Sequence, residues 1–247
     1  MKYMGSKSRI AKFILPIILH NRVENQYYIE PFAGGMNIID KVVGYRIASD
    51  KNVYLIEMWK LLVTGYTFPI ITKELYNAAR MEFNNKTNVE FTDAEIGWIG
   101  WMGSFNGRFF DGGYSGKTET RDYIDEQIRN TEKQIPNLLN VEFKSGNYNE
   151  ITIPNDSIIY CDIPYKGTKQ YSTSKNFDYD EFWEWCRDMS KKGHKVFISE
   201  YSAPDDFKCV WEMEVTNSMS TANTYKPMER LFIHTSQKEK IHKFFEL

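Results

Sequence analysis

The apolar positions along the chain follow two periods, one strand-like and one helical. Tyr27-Tyr28-Ile29-Glu30 is an apolar run feeding Pro31-Phe32-Ala33-Gly34-Gly35, which predicts a buried strand entering a tight glycine turn. Met36 to Val43 then reads as a short helix, Tyr45 to Ala48 as a second strand with Asp50 just beyond it, and residues 53–63 as a further helix. From about residue 66 to 140 strand-like alternation disappears outside a glycine- and aromatic-rich loop from Gly103 to Gly116. That stretch, which holds Trp98 and Trp101, is expected to be a mostly helical insertion. The strand–helix pattern returns with Ser157-Ile158-Ile159-Tyr160-Cys161, ending at Asp162. Asp178 with Glu181 three residues later marks a helix start, and Tyr179, Phe182, Trp183, Cys186 and Met189 line its apolar face. Gly193 ends it, and Lys195–Ser199, Cys209–Val215 and Leu231–Thr235 are strand candidates. Such alternation implies an α/β fold with a doubly wound, Rossmann-like sheet and ligands at the strand carboxyl ends. The expected organisation is a sheet domain built from residues 1–65 and 141–247, interrupted by an insert at 66–140.

Composition narrows the function classes. With 247 residues, 42% hydrophobic and 15% aromatic, the chain can bury a substantial core, which excludes global disorder. A formal charge of −2 excludes a polycation, yet residues 1–24 carry five basic side chains against one acidic. Three lysines (Lys166, Lys169, Lys175) and no acid lie between Asp162 and Asp178. Cys161, Cys186 and Cys209 are odd in number and widely spaced, which argues against a disulfide framework or a zinc site and for a reducing compartment. The apolar stretch Phe13–Leu19 is short, broken by Pro16 and lacks a cleavage pattern, so a soluble, cytoplasmic protein is expected, with no membrane partner. His20, His194, His234 and His242 show no ligand spacing, and no metal is expected.

Two constellations can carry chemistry. The turn Glu30-Pro31-Phe32-Ala33-Gly34-Gly35 suits close ligand approach to backbone N–H groups, and an acid at Asp50 is placed to accept ribose hydroxyls. A plain structural turn and a helix N-cap are the alternative readings of these residues. Cys161-Asp162-Ile163-Pro164-Tyr165 places a carboxylate, a stiffened turn and an aromatic ring at a strand end. A carboxylate and a carbonyl there could each accept one hydrogen of an exocyclic amine while the ring stacks on a base, a contact that contributes about 1–3 kcal/mol.

Together with Lys2-Tyr3-Met4-Gly5-Ser6-Lys7, and in this order, these motifs resemble the Dam-type (alpha-class) DNA adenine-N6 methyltransferases. The resemblance implies a class I methyltransferase sheet, with S-adenosylmethionine as donor and the 66–140 insert as target-recognition domain. It implies cofactor contacts from Tyr3, Lys7, Glu30, Phe32, Gly34, Gly35, Asp50 and Asp162, and more loosely from Asn147 and Tyr148. It further implies catalysis by Asp162, Ile163, Pro164 and Tyr165. The Asp162 carboxylate and the residue-163 carbonyl would take the target N6 hydrogens, and Tyr165 would stack on the flipped adenine. Holding N6 this way frees a lone pair otherwise delocalised into the ring, which is catalysis by positioning and electrostatics. Flipping costs about a few kcal/mol in lost pairing and stacking. The family writes D-P-P-Y where this chain has D-I-P-Y; Ile163 keeps the carbonyl and loses a proline's restraint on φ.

Within the insert, Ser104-Phe105-Asn106-Gly107-Arg108 resembles the family's DNA-contacting hairpin, which implies roles for Phe105 and Asn106 near the vacated base and for Arg108 at a base edge. Read alone, the Asn-Gly pair is a hairpin turn. Lys166, Lys169 and Lys175 are expected to contact phosphates of double-stranded DNA. A cognate restriction nuclease is a partner the resemblance allows. A catalytically weakened DNA-binding homologue, and an acceptor at cytosine N4 or in RNA, stay open as alternatives.

Overall fold

The computed structural model describes all residues except 88–89, 168–175, 216–226 and 238–247. Its strands β1 (Tyr28–Glu30), β2 (Arg46–Asp50), β3 (Val141–Ser145), β4 (Ile158–Asp162), β5 (Lys195–Glu200), β6 (Phe207–Glu214) and β7 (Met228–His234) follow the order β3-β2-β1-β4-β5-β7-β6, a mixed, Rossmann-like α/β sheet. The chain divides into two compact units, Met1–Arg9 with Ala33–Ile151, and Ile10–Phe32 with Thr152–Leu247. The helical segment 66–140 lies wholly inside the first unit.

The second unit contains the strands expected from the apolar runs. β1 (Tyr28–Glu30) and β4 (Ile158–Asp162) pair in parallel, Tyr28 facing Ile158 and Ile29 facing Ile159. β5 (Lys195–Glu200) continues the parallel set, and β7 (Met228–His234) and β6 (Phe207–Glu214) add antiparallel strands. The residues of β1 and the first four of β4 are all buried, which explains their continuous apolar run in place of alternation. Apolar residues Phe13–Leu19 fall mainly in helix α1 (Ala11–Ile18), which buries Ala11, Ile14, Leu15 and Ile18 along one stripe. Helix α7 (Tyr179–Lys191) starts where expected: the Asp178 carboxylate accepts the Glu181 N–H at 2.9 Å. Phe182, Trp183, Cys186 and Met189 are buried, while Tyr179 at the helix start is half-exposed.

In the first unit, β2 (Arg46–Asp50) pairs in parallel with β3 (Val141–Ser145), from Arg46 opposite Val141 to Asp50 opposite Ser145. β3 has no counterpart among the expected strands. Its polar Glu142, Lys144 and Ser145 belong to an edge strand buried on one side only, so the apolar signal is thin.

The helix expected at Met36–Val43 is absent; only one 3-10 turn, Ile39–Lys41, forms. Gly34 and Met36 take positive φ values of 48° and 57°, a left-handed geometry that interrupts a right-handed helix. Met36, Ile38, Ile39 and Val42 are buried all the same, so the apolar spacing reports burial and not helix. Helices α2 (Val53–Leu62), α3 (Lys73–Asn85), α4 (Asp93–Gly103), α5 (Tyr123–Glu132) and α6 (Ile135–Leu138) complete the unit. The Asn52 side chain caps α2, and Thr92 with Glu95 forms a reciprocal capping box at α4. Among the described residues, no helix is long and apolar enough to cross a membrane.

Candidate active site

In the first unit, Tyr3 packs on the glycine turn. A Cβ on Gly34 would stand 2.8 Å from the Tyr3 ring, and one on Gly35 would stand 2.7 Å from Tyr3 Cβ and 2.6 Å from Asn37 Nδ2. Small residues are therefore required here because Tyr3 fills the space a side chain would take. The sequence suggested ligand approach; the structure supplies this second and more immediate reason. Tyr3 is held in turn by Trp101, with ring centroids 5.0 Å apart.

Asp50 closes the turn from the end of β2. Its carboxylate accepts the Gly34 N–H at 3.0 Å and the Asn52 N–H at 2.9 Å. Burial pushes the Asp50 carboxyl above the usual carboxylate range, and these two N–H groups oppose the shift. The helix-cap alternative is answered by geometry: Asn52 caps α2, while Asp50 binds the turn. Asn147 and Tyr148 follow β3, and the Gly146 N–H donates to the Asp50 carbonyl at 3.1 Å, so these residues share one sheet end with Asp50. They come after an edge strand and do not directly precede β4. Lys7 is buried, with its ammonium 3.4 Å from the Gly5 carbonyl.

Asn37 is a residue the sequence reading missed. Its Nδ2 is buried beside Gly35 with no hydrogen-bond partner among the described residues. An orphaned amide donor next to a glycine turn suits a ligand carboxylate. No sequence signal marks it, because Asn in a turn is ordinary.

The loop after α4 closes as a short antiparallel hairpin: Ser104 bridges Tyr114, the Phe105 N–H donates to the Gly113 carbonyl at 2.9 Å and the Ser115 N–H to the Gly103 carbonyl at 2.8 Å. Asn106 and Gly107 both have positive φ, at 55° and 63°, and the Arg108 N–H donates to the Phe105 carbonyl at 3.3 Å. That is the primed turn an Asn-Gly pair favours. The pairing shortens to the Ser104–Tyr114 bridge because Phe109 and Phe110 dive into the core: Phe109 stacks on Trp101 at 4.9 Å, and Phe110 lies 5.3 Å from Phe83. Ser104 anchors the base, accepting the Phe110 N–H at 2.9 Å, and its hydroxyl pairs with that of Tyr76 at 3.0 Å. Phe105 and Asn106 are left exposed and Arg108 half-buried. The Gln127 amide grips both backbone groups of Lys2, accepting its N–H at 3.1 Å and donating to its carbonyl at 3.0 Å. Lys2 also packs on Gly107, so this loop and the glycine turn flank the same N-terminal segment Lys2-Tyr3.

In the second unit, Glu30 ends β1 and Asp162 ends the adjoining β4, two residues beyond the level of Glu30, where the strand order reverses. Such a switch point is where doubly wound sheets place ligands. Glu30 is buried and accepts the Tyr28 hydroxyl at 2.8 Å. Phe32 packs edge-on against Phe177 and Phe182, each at 5.8 Å. Asp162 is half-exposed, whereas Ile163 and Tyr165 are buried. The turn is braced on three sides. The Pro164 carbonyl accepts the Tyr179 hydroxyl at 2.8 Å, Glu200 accepts the Lys166 N–H at 2.7 Å, and Glu229 accepts the Tyr165 hydroxyl at 2.6 Å. Glu200 and Glu229 carry no local sequence signal, since each is one more acid in a strand. Lys166 is exposed, with its ammonium 5.8 Å from the Tyr179 ring centre. Lys169 and Lys175 lie outside the described residues.

Among the described residues, no three His, Cys, Asp or Glu side chains converge as a metal site. Residues 3–109 match the family model of the D12 class N6 adenine-specific DNA methyltransferases. That segment spans Tyr3, the glycine turn, Asp50 and the Phe105–Arg108 turn, and it ends before Asp162. The matched segment is less than half of the chain. No curated protein matches the chain. A solved structure of SMU.472, a protein described as a methyltransferase and complexed with SAH, is similar at 10% identity and a TM-score of 0.35. The similarity covers 94% of this chain and 54% of that one, so the chain spans about half the length of SMU.472. A likeness of that degree says nothing about activity.

Proposed function

We propose that this chain transfers a methyl group from S-adenosylmethionine to N6 of a flipped adenine within a specific duplex DNA sequence. The observation that carries the reading is the Asp162-Ile163-Pro164-Tyr165 turn, placed at the end of β4 and braced by Tyr179, Glu200 and Glu229. Asp162 accepts one N6 hydrogen and the Ile163 carbonyl the other, which localises the nitrogen lone pair, and Tyr165 stacks on the base. Pro164 biases Ile163 toward extended geometry, which keeps its carbonyl available without a proline at 163. When bound, S-adenosylmethionine supplies an electrophilic sulfonium methyl.

The first unit fits such a cofactor. Asp50 can accept ribose hydroxyls, the Asn37 amide can donate to the methionine carboxylate, and Tyr3 and Lys7 border that end. Residues 66–140 then read the target: Phe105 and Asn106 act at the vacated base position, and Arg108 reads a base edge. Lys166 contacts phosphate, with double-stranded DNA as the partner. Incubating the protein with S-adenosylmethionine and DNA of mixed sequence, followed by mass spectrometry of the nucleosides, yields N6-methyladenine on this reading. Product on cytosine N4 alone, or none in any sequence context, would overturn it.

Two further outcomes are expected. Because burial raises the Asp50 carboxyl, it protonates at a higher pH than an ordinary aspartate. A protonated carboxyl keeps one oxygen as a donor and loses acceptor capacity. Cofactor affinity measured by calorimetry therefore falls as the pH drops through that raised pKa, while Asp50→Asn binds weakly with a flat profile. Parallel profiles for the two proteins would remove Asp50 from the cofactor site. Arg108→Ala should lower discrimination between the target and a one-base mismatch by about tenfold or more, measured as the ratio of methylation rates. An unchanged ratio would leave Arg108 without a reading role.

A further inference from the structure

Tyr165 is buried and its ring is constrained from two directions. Its hydroxyl donates to Glu229 Oε2 at 2.6 Å, and its ring packs at right angles to that of Tyr201, with centroids 4.6 Å apart at 81°. Glu229 is itself 8% exposed and lies on β7, 64 residues from Tyr165 along the chain. Its neighbour Arg230 pairs opposite Glu200 in the β5–β7 register, so the two acids that brace the Asp162 turn come from adjoining strands. Arg230 is occupied elsewhere, donating to Glu212 at 3.0 Å and to the Tyr201 carbonyl at 2.5 Å.

A buried phenol needs an acceptor, but a hydroxyl or a carbonyl would satisfy it. A carboxylate here carries a burden, because it adds negative charge near Asp162 in a region already shielded from water. Burial, Asp162 and Glu229 together push the Tyr165 phenol well above its usual value, so it remains a protonated donor. Its bond to an acid is short and directional.

We propose that Glu229 is a positioning residue that fixes the direction of the Tyr165 side chain, so that the ring, with its plane set against Tyr201, stands where it stacks on the flipped adenine. The inference rests on the methyltransferase reading above. The hydroxyl lies on the axis that runs from Cβ through the ring, so the bond to Glu229 fixes where that axis points, and the packing on Tyr201 restrains rotation about it. The ring is then ordered before the base arrives, and the base does not bear the cost of ordering it.

The test uses the full chain, a duplex carrying 2-aminopurine at the target base, and the unlabelled duplex for kinetics. Glu229→Ala should lower kcat/KM for DNA at least about tenfold and brighten the flipped 2-aminopurine, whose fluorescence is quenched when it stacks on the Tyr165 ring. Affinity for S-adenosylmethionine should stay within about twofold. Glu229→Gln, whose amide oxygen still accepts, should recover most of the activity. Tyr165→Phe keeps the ring and its volume and should show the Glu229→Ala defect, and the double variant should be no worse than either single one. If Glu229→Ala fails to fold, as judged by its melting curve, Tyr165→Phe carries the test alone. Unchanged kcat/KM and fluorescence in Tyr165→Phe, or losses that multiply in the double variant, would overturn the proposal. A wild-type protein that methylates no DNA overturns the functional reading; an active wild type with a normal Glu229→Ala overturns only this inference.

Discussion

Asp162→Ala is expected to lower the single-turnover rate of methyl transfer by about a thousandfold, in the range seen when one group that stabilises or deprotonates a transition state is removed. The acceptor nitrogen is unreactive while its lone pair is conjugated with the ring. Only groups that engage both N6 hydrogens can favour the pyramidal form, and Asp162 is the one charged group in the Asp162–Tyr165 turn. The backbone carbonyl at Ile163 survives any side-chain change, so the substitution isolates the carboxylate. Asp162 is half-exposed at a strand end, so its removal leaves no cavity in the core. The melting temperature should hardly move, and equilibrium affinity for S-adenosylmethionine should change by less than about threefold, since the other cofactor contacts remain. Rapid-quench measurements with saturating cofactor and DNA decide the matter. A rate within tenfold of wild type would mean that another group prepares the nitrogen and that the Asp162–Tyr165 turn has been misread.

Gly97→Ala is expected to destabilise the protein by about 2 kcal/mol or more, although helix propensity alone predicts a gain of about 1 kcal/mol. Gly97 lies mid-way along α4. A Cβ there would stand 2.1 Å from the Tyr54 carbonyl oxygen and 3.0 Å from Met58 Cβ, both on α2. Backbone cannot step aside as a flexible side chain can, so the two helices must separate. The same substitution at Gly100 meets ring atoms of Phe109 and Phe110 at 2.4 and 2.8 Å, which can shift, and it should cost less. Because α4 runs directly into the Ser104–Gly113 loop and α2 follows Asp50, a displaced α4 should also depress methylation. Urea denaturation of the two variants gives the comparison. A Gly97→Ala protein as stable as wild type would show that α2 and α4 do not approach so closely.

The motifs were legible because each is local. The strand ahead of Asp162 shows as four successive apolar residues, Ile158 to Cys161, and α7 shows as a capped start followed by a helical stripe. The helix expected at Met36–Val43 shows the limit of that approach. Its apolar spacing is real and its residues are buried, but positive φ at Gly34 and Met36 turns the chain another way. At the Asn106-Gly107 pair the turn follows from two letters, while the hairpin around it is shortened to the Ser104–Tyr114 bridge because Phe109 and Phe110 enter an aromatic core. β3 was missed because an edge strand with one buried face offers few apolar positions to count.

By itself the sequence determined which residues could do chemistry, since a carboxylate, a glycine turn or an aromatic ring at a strand end is written in a few adjacent letters. Tertiary structure alone decided what holds them. Tyr3 fills the space beside Gly34 and Gly35, Asp50 closes the turn, and Glu229 reaches Tyr165 from 64 residues away. Periodicity reports how each segment meets water, a local property. Which buried donor meets which acceptor depends on how separate elements pack, and that is settled only when the whole chain minimises its unpaired polar groups and its voids together.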